Sequence, residues 1–149
     1  MSDHKITPNL WFSSHNGSML EVVSYYKEIF GKHLEAGQII PLGDTPGGYT
    51  EMCEMNIFNQ RYSCINTSKE HHHFNDAIAF TIHCEDQDEI DTYWNYFTHE
   101  GKESQCGWCI DKYGLRWQIL PKNFDTLMKQ PHAWEVMMSQ TRIIMEEYV

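Results

Sequence analysis

The sequence predicts an α+β fold: two β-α-β-β-β modules, over about residues 5–69 and 75–121, form one domain over 1–122, and a helical tail follows over 123–149. Three observations predict it. A strand followed by a capped amphipathic helix occurs twice at a constant spacing. Three short strand-like segments follow each helix. The last stretch then switches to helical apolar spacing.

In the first module, Thr7-Pro8-Asn9-Leu10-Trp11-Phe12 has strand character and ends in the turn-like Ser-Ser-His-Asn-Gly. Ser18 is placed to cap a helix, with Glu21 at capping-box spacing. Met19, Val22, Val23, Tyr26, Ile29 and Phe30 make one apolar face, and Gly31 supplies the stop. Strands are expected over residues 33–40, 49–58 and 61–66, the last two joined by a turn at Asn59-Gln60. Between them, the run from Pro41 to Gly48 is rich in Pro and Gly and is expected to be a flexible loop.

In the second module, Ala77–Ile82 is the expected strand. Asp86 and Glu89 stand at capping-box spacing, Ile90, Tyr93, Trp94 and Phe97 form the apolar stripe, and Gly101 ends the helix. A shift of 68 residues superposes Leu10 on Ile78, Phe12 on Phe80, Ser18 on Asp86, Val22 on Ile90 and Tyr26 on Trp94. Strands are then expected over 103–106, 108–111 and 115–120, with a turn over 111–114. In the tail, Trp134, Met137, Met138, Ile143, Ile144 and Met145 suit packing on its own domain or an adaptable dimer contact.

Charge and cysteine usage narrow the function classes. Against 21 Asp and Glu stand 11 Lys and Arg, a net charge of −10. A nucleic-acid surface needs clustered cations to displace counterions, and an anionic membrane needs them too, so neither partner is expected. No apolar run reaches membrane-spanning length, and Met-Ser-Asp-His-Lys lacks a signal-peptide centre. Cys53, Cys64, Cys84, Cys106 and Cys109 are an odd set in strand-like segments, which implies buried reduced thiols and a cytosolic protein.

Three stretches are specific: Thr-Pro-Asn-Leu-Trp-Phe (7–12), Asp-Gln-Asp-Glu-Ile-Asp-Thr-Tyr-Trp (86–94), and Cys-Gly-Trp-Cys-Ile-Asp-Lys-Tyr-Gly-Leu-Arg-Trp-Gln-Ile-Leu-Pro (106–121). Together they resemble the PhnB-like family, which carries the label "3-demethylubiquinone-9 3-methyltransferase". That family lies within the glyoxalase/bleomycin-resistance/dihydroxybiphenyl-dioxygenase (vicinal oxygen chelate) superfamily. The resemblance implies two βαβββ modules whose curled sheets surround a central cavity, and a homodimer. In metalloenzymes of the superfamily it also implies a divalent ion held by His, Glu or Gln from first and last strands of the modules.

Carried onto this chain, that metal position falls on Ala77 in the second module and Asn9 in the first, with Gln118 and Ser63 or a neighbour on the last strands. Zinc or iron needs converging imidazole, thiolate or carboxylate groups, which these residues do not supply, so no metal or other cofactor is expected. His71-His72-His73 beside Glu70 resembles a metal tract, yet consecutive strand residues point to alternate sides, and a solvated linker is the expectation. Cys106 and Cys109 have redox-dithiol spacing but fall at a strand junction, where a structural role is expected.

Strand alternation turns Leu10 and Phe12 toward the first helix and Asn9 and Trp11 toward the cavity. Cys53, Met55 and Ile57 likewise face the helix while Glu54 and Asn56 face inward, and Gln118 points inward with Arg116 near it. The candidate ligand-binding set is therefore Asn9, Trp11, Glu54, Asn56, Ser63, Trp108 and Gln118. Aromatic walls with a few polar groups describe a small-molecule pocket; the alternative makes Trp11 and Trp108 core filling. Glu54 is the candidate catalytic base, because a carboxylate enclosed by aromatic rings has a raised pKa; the alternative is an exposed ion-pair partner.

Four functions compete. A dimer sequestering a small organic molecule without metal is the leading expectation, and a metal-dependent glyoxalase-type isomerase, lyase or dioxygenase-like enzyme is the alternative. A methyltransferase would need a glycine-rich strand-to-helix loop on a parallel sheet, and the glycines at 43, 47 and 48 precede a strand. An interaction module working through the tail is weaker than a homodimer contact there.

Overall fold

The computed structural model describes residues 5–149, so the reading of the first four residues lies outside the described part. The chain divides into two compact units, one ending at His72 and the other running from His73 to Val149.

The first unit holds β1 (Asn9–Phe12), α1 (Met19–Phe30), β2 (Leu34–Ala36), β3 (Ile40–Thr45), β4 (Gly48–Ile57) and β5 (Gln60–Thr67). β1 runs parallel to β5, β5 pairs antiparallel with β4, and β2 and β3 share the far edge of β4. Helix α1 starts where expected: Ser18 Oγ accepts the Glu21 N–H at 3.4 Å. The rest of the cap is tertiary, since Glu51 of β4 accepts the Met19 N–H at 2.8 Å. Met19, Val22, Tyr25, Tyr26 and Phe30 bury one helix face, with Leu10, Phe12, Cys53, Met55 and Cys64 in the same core. Each large apolar side chain so buried contributes about 1.5–3 kcal/mol relative to exposure.

Two local expectations change. The run from Pro41 to Gly48 is mostly strand: residues 40–45 form β3, and 46–47 make the turn into β4. Pro41 is tolerated because β3 is an edge strand, and Gly43, at φ 73°, follows the register shift after Pro41. The turn between β4 and β5 is centred on Phe58 and Asn59, both at positive φ. Phe58 is held there by rings, stacked on His33 at 4.4 Å and edge-on to Phe30 at 5.9 Å.

The second unit holds β6 (Phe80–Cys84), α2 (Gln87–His99), β7 (Lys102–Glu103), β8 (Trp108–Ile110) and β9 (Arg116–Pro121), then α3 (Phe124–Leu127) and α4 (Ala133–Ser139). Its sheet order, β6-β9-β8-β7, repeats the first unit's path β1-β5-β4-β2, which runs first, last, penultimate and second strand, without the extra edge strand β3. Asp86 caps α2 at 2.9 Å through the Glu89 N–H, and Glu89 in return accepts the Glu85 N–H at 3.1 Å. Gly101 is required by close approach: a Cβ there would lie 1.9 Å from the Ile110 carbonyl oxygen.

The helix superposes as the repeat predicted, but the strand does not. β6 begins at Phe80, so Ala77 precedes it, and the residue equivalent to Asn9 is Thr81. The helical tail consists of two short helices and a 3-10 turn. Leu127, Ala133, Ile143 and Tyr148 bury themselves with Leu120 in a second core. Gln87 straps this tail to α2, accepting the Met145 N–H at 2.8 Å and donating to the Ile143 carbonyl at 2.9 Å.

Candidate functional site

Each sheet has one face covered by its helix and one face turned away from it. Alternation along β1 decides which residues go where: Leu10 and Phe12 are buried, while Asn9 and Trp11 are exposed. The register then lines up Asn9, Ser63 and Glu54 across β1, β5 and β4, directly opposite one another. Asn9 Nδ2 donates to Ser63 Oγ at 3.3 Å. One step along, Trp11, Ile65, Met52 and Ile40 form a parallel row that is apolar throughout. Asn56 lies opposite Arg61 on the other side of the polar row.

These two rows border a cleft of about 210 Å3 lined by Gly37, Gln38, Ile40, Met52, Cys53, Glu54 and Ser63. It opens where the chain jogs from β2 to β3, with Gly37 N–H still bonded to the Glu54 carbonyl at 2.8 Å. Glu54 and Ser63 were expected here from alternation. Gln38 and Ile40 were missed because residues 33–40 read as one strand, whereas the chain breaks between β2 and β3, and Met52 was legible from its parity with Glu54.

Glu54 is not enclosed by aromatic rings. Its side chain is 62% exposed and pairs with Arg61 Nε at 3.4 Å, which is the exposed ion-pair alternative. Trp11 is not core filling either: it stays 38% exposed on the open face. Its Nε1 donates to Thr67 Oγ1 at 3.0 Å, and its ring stacks on His71 at 3.5 Å between centroids. The first of the three consecutive histidines is therefore a ring packed on the sheet, not a solvated linker residue. Burial raises the Cys53 thiol above its usual range, so it stands beside the cleft as a neutral thiol.

The second unit repeats the row with other side chains: Thr81, Gln118 and Trp108 lie opposite one another across β6, β9 and β8. Thr81 Oγ1 donates to Gln118 Oε1 at 2.9 Å. Arg116, on the same face, is drawn away to Asp76 at 2.7 Å and to the Phe74 and Gly114 carbonyls. Cys106 and Gly107, both at positive φ, form the hairpin turn between β7 and β8, while Cys109 is buried, its thiol pushed up to about 12 by burial. That is a turn and a core residue, not a dithiol at a helix terminus.

The divalent ion that the resemblance implied does not fit these residues. Asn9 with Ser63, and Thr81 with Gln118, are neutral pairs already bonded to each other, and the neighbouring carboxylate, Glu54, is engaged by Arg61. Among the described residues no group of three or more His, Cys, Asp or Glu is arranged to hold a metal ion.

Comparison with known proteins gives a coherent picture. The family described as "3-demethylubiquinone-9 3-methyltransferase" matches residues 4–120. Among curated proteins none matches. A putative 3-demethylubiquinone-9 3-methyltransferase, PhnB protein, from Bacillus cereus is similar in structure at TM-score 0.65 and 24% identity, over 78% of this chain and 98% of that one. A protein from Pseudomonas aeruginosa matches at TM-score 0.61 and 16% identity, over 78% and 96% of the two chains. The fosfomycin resistance protein FosX from Listeria monocytogenes, solved with Mn(II) and sulfate, matches at TM-score 0.52 and 14% identity, over 80% and 92%. The fold is thus that of the glyoxalase and fosfomycin-resistance proteins. No described helix is long and apolar enough to cross a membrane.

Proposed function

The chain belongs to the family described as "3-demethylubiquinone-9 3-methyltransferase", and from that premise we propose that it is a cytosolic homodimer that binds or sequesters a small organic molecule without a metal. The observation that carries this reading is the open sheet face of the first unit, where a polar row and an apolar row border one cleft. Apolar lining with a few oriented polar groups is the usual make-up of a small-molecule site. Asn9, Trp11, Glu54, Asn56 and Ser63 are the proposed ligand-facing residues of that unit, and Trp108 and Gln118 those of the second.

Methyl transfer is set aside on the same grounds. Both sheets mix parallel and antiparallel pairs, and the segment from β1 to α1 has Gly17 alone where a nucleotide-binding loop is glycine-rich. The tail over 123–149 is the proposed dimer contact. Trp134 and Met138, one helical turn apart on α4, are 66% and 64% exposed.

Native mass spectrometry of untagged protein, beside elemental analysis for zinc, nickel, manganese and iron, tests this. A metal-free dimer that carries a small organic mass, lost in Glu54→Gln, is the expected result. One metal per subunit, retained through buffer exchange and lost on Glu54→Ala or Gln118→Ala, would overturn it in favour of a metal-assisted isomerase or lyase.

A further inference from the structure

Trp11 is built as a platform. Its indole lies on the open face of the first sheet, and its Nε1 is tied to Thr67, a buried residue whose own hydroxyl donates to the Lys69 carbonyl at 3.1 Å. Those two bonds fix the ring plane. On that plane lies the His71 imidazole, 3.5 Å away and within 14° of parallel. His71 comes from the segment that follows β5, and its side-chain contacts are ring contacts, with Trp11 and with His72. A ring held by stacking alone is cheap to displace, because an aromatic pair is worth only about 0.5–1.5 kcal/mol beyond its buried area.

The platform continues into the cleft. Ile65 separates Trp11 from Met52 by two strand spacings, roughly 10 Å at about 4.8 Å per strand. That is the length of a fused two- or three-ring system. Alongside runs the row of Asn9, Ser63 and Glu54, which presents a carboxylate at the cleft in a chain of net charge −10.

We infer that Trp11 is the stacking platform for a planar, multi-ring nitrogenous aromatic cation, and that His71 is an internal stand-in for that ring, displaced when the ligand binds. This rests on the open face being the binding site and names the ligand class for it. The apolar row holds the ring system, and Glu54 holds the positive nitrogen once Arg61 gives way. A cation can take the place of Arg61 because Glu54 is the carboxylate that lines the cleft and its ion pair, 3.4 Å long and solvent-exposed, is weak.

Proflavine, a three-ring planar cation, serves as the probe, titrated into the full chain and followed by calorimetry. Binding by the wild-type protein is expected. Trp11→Ala should weaken it by about tenfold or more, the range for loss of one ring-on-aromatic stack. His71→Ala should tighten it by about threefold, because the internal competitor is gone. Lys112→Ala, in the exposed turn before β9, should leave it unchanged. An unchanged affinity in Trp11→Ala, or a weaker one in His71→Ala, overturns the platform; so does failure of the wild type to bind. If Trp11→Ala does not fold, as judged by circular dichroism, the direction of the His71→Ala change decides. The two layers separate cleanly: loss of binding in Glu54→Gln with none in Trp11→Ala keeps the open-face site and removes the platform, whereas no change in either removes both.

Discussion

The polar row of the first unit is Asn9, Ser63 and Glu54; the same three strand positions in the second unit carry Thr81, Gln118 and Trp108. Both rows begin with a hydroxyl–amide pair, and both offer neutral oxygen and nitrogen at the positions where a metal would be sought. They part at the third residue, a carboxylate in one and an indole in the other. Their surroundings differ as well. The first unit invests in long strands, β4 over residues 48–57 and β5 over 60–67, and leaves the open face with a cleft. The second has β8 over only 108–110, and it adds a tail. Leu120, two residues beyond Gln118 and so on the same side of β9, is buried by that tail in the second core. One topology thus carries an open face with a cleft in one copy and a foundation for extra packing in the other.

The largest expected effect would break the claim that the tail is structural to the second unit. Ile143 is fully buried and touches the hairpin turn at Gly107, so Ile143→Ala should cost about 2–5 kcal/mol in urea unfolding. Lys129→Ala, exposed on the same tail, should stay within about 0.5 kcal/mol. Equal effects would mean that the tail is not anchored as described.

Each unit also has a buried polar knot at a turn, and these sharpen the comparison. Asn66 accepts the Ser14 N–H at 3.0 Å and donates to Ser14 Oγ and the Ser18 carbonyl, closing the entry to α1. Asp111 accepts the Tyr113 and Leu115 N–H groups on one oxygen and Trp117 Nε1 on the other, closing the turn before β9. Removing either leaves buried donors unpaired, so Asn66→Ala and Asp111→Ala should each cost about 1–3 kcal/mol or more. A near-neutral result for one would show that its unit closes by packing alone.

The thiols give a pH test with a definite sign. Burial raises Cys64 in the first unit and Cys84 and Cys109 in the second to about 12, from 9.0. A raised folded pKa means that the unfolded chain releases the proton first. Stability is therefore fully present below about pH 9 and falls as pH rises from there toward 12. Unfolding free energy measured at rising pH should show this decline. Cys106, the partly exposed cysteine, should react first with a thiol reagent at pH 8, ahead of the four buried ones. Native reaction of Cys109 ahead of Cys106 would contradict the burial described. The smallest effect is the exposed Lys122–Glu85 pair, where Lys122→Ala should change stability by less than about 1 kcal/mol.

Much of the fold was legible because it is written locally. Ser18 and Asp86 cap their helices, the apolar stripes of α1 and α2 are buried, and the alternation on β1 and β4 turns Asn9, Trp11 and Glu54 to the side away from the helix, as period and capping chemistry require. The expected duplication holds for the helices and fails for the strand, since Thr81 rather than Ala77 takes the place opposite Gln118. A shift along one strand changes no helical period, so the helix spacing could not reveal it. Likewise, Pro41, Gly43 and Gly47 carried a loop signal that edge pairing with β4 overrode.

By itself, then, the sequence determined the α+β class, the two helices with their caps, and which side of each strand faces a helix, because those depend on residues within a turn or two of one another. Tertiary structure alone decided that Asn9, Ser63 and Glu54 form one row, that Glu51 caps α1, that Arg61 engages Glu54, and that His71 lies on Trp11. Each of these rests on strand register or on a contact between residues distant in the chain. Such pairings are chosen by the packing of the whole unit, and no local periodicity encodes them.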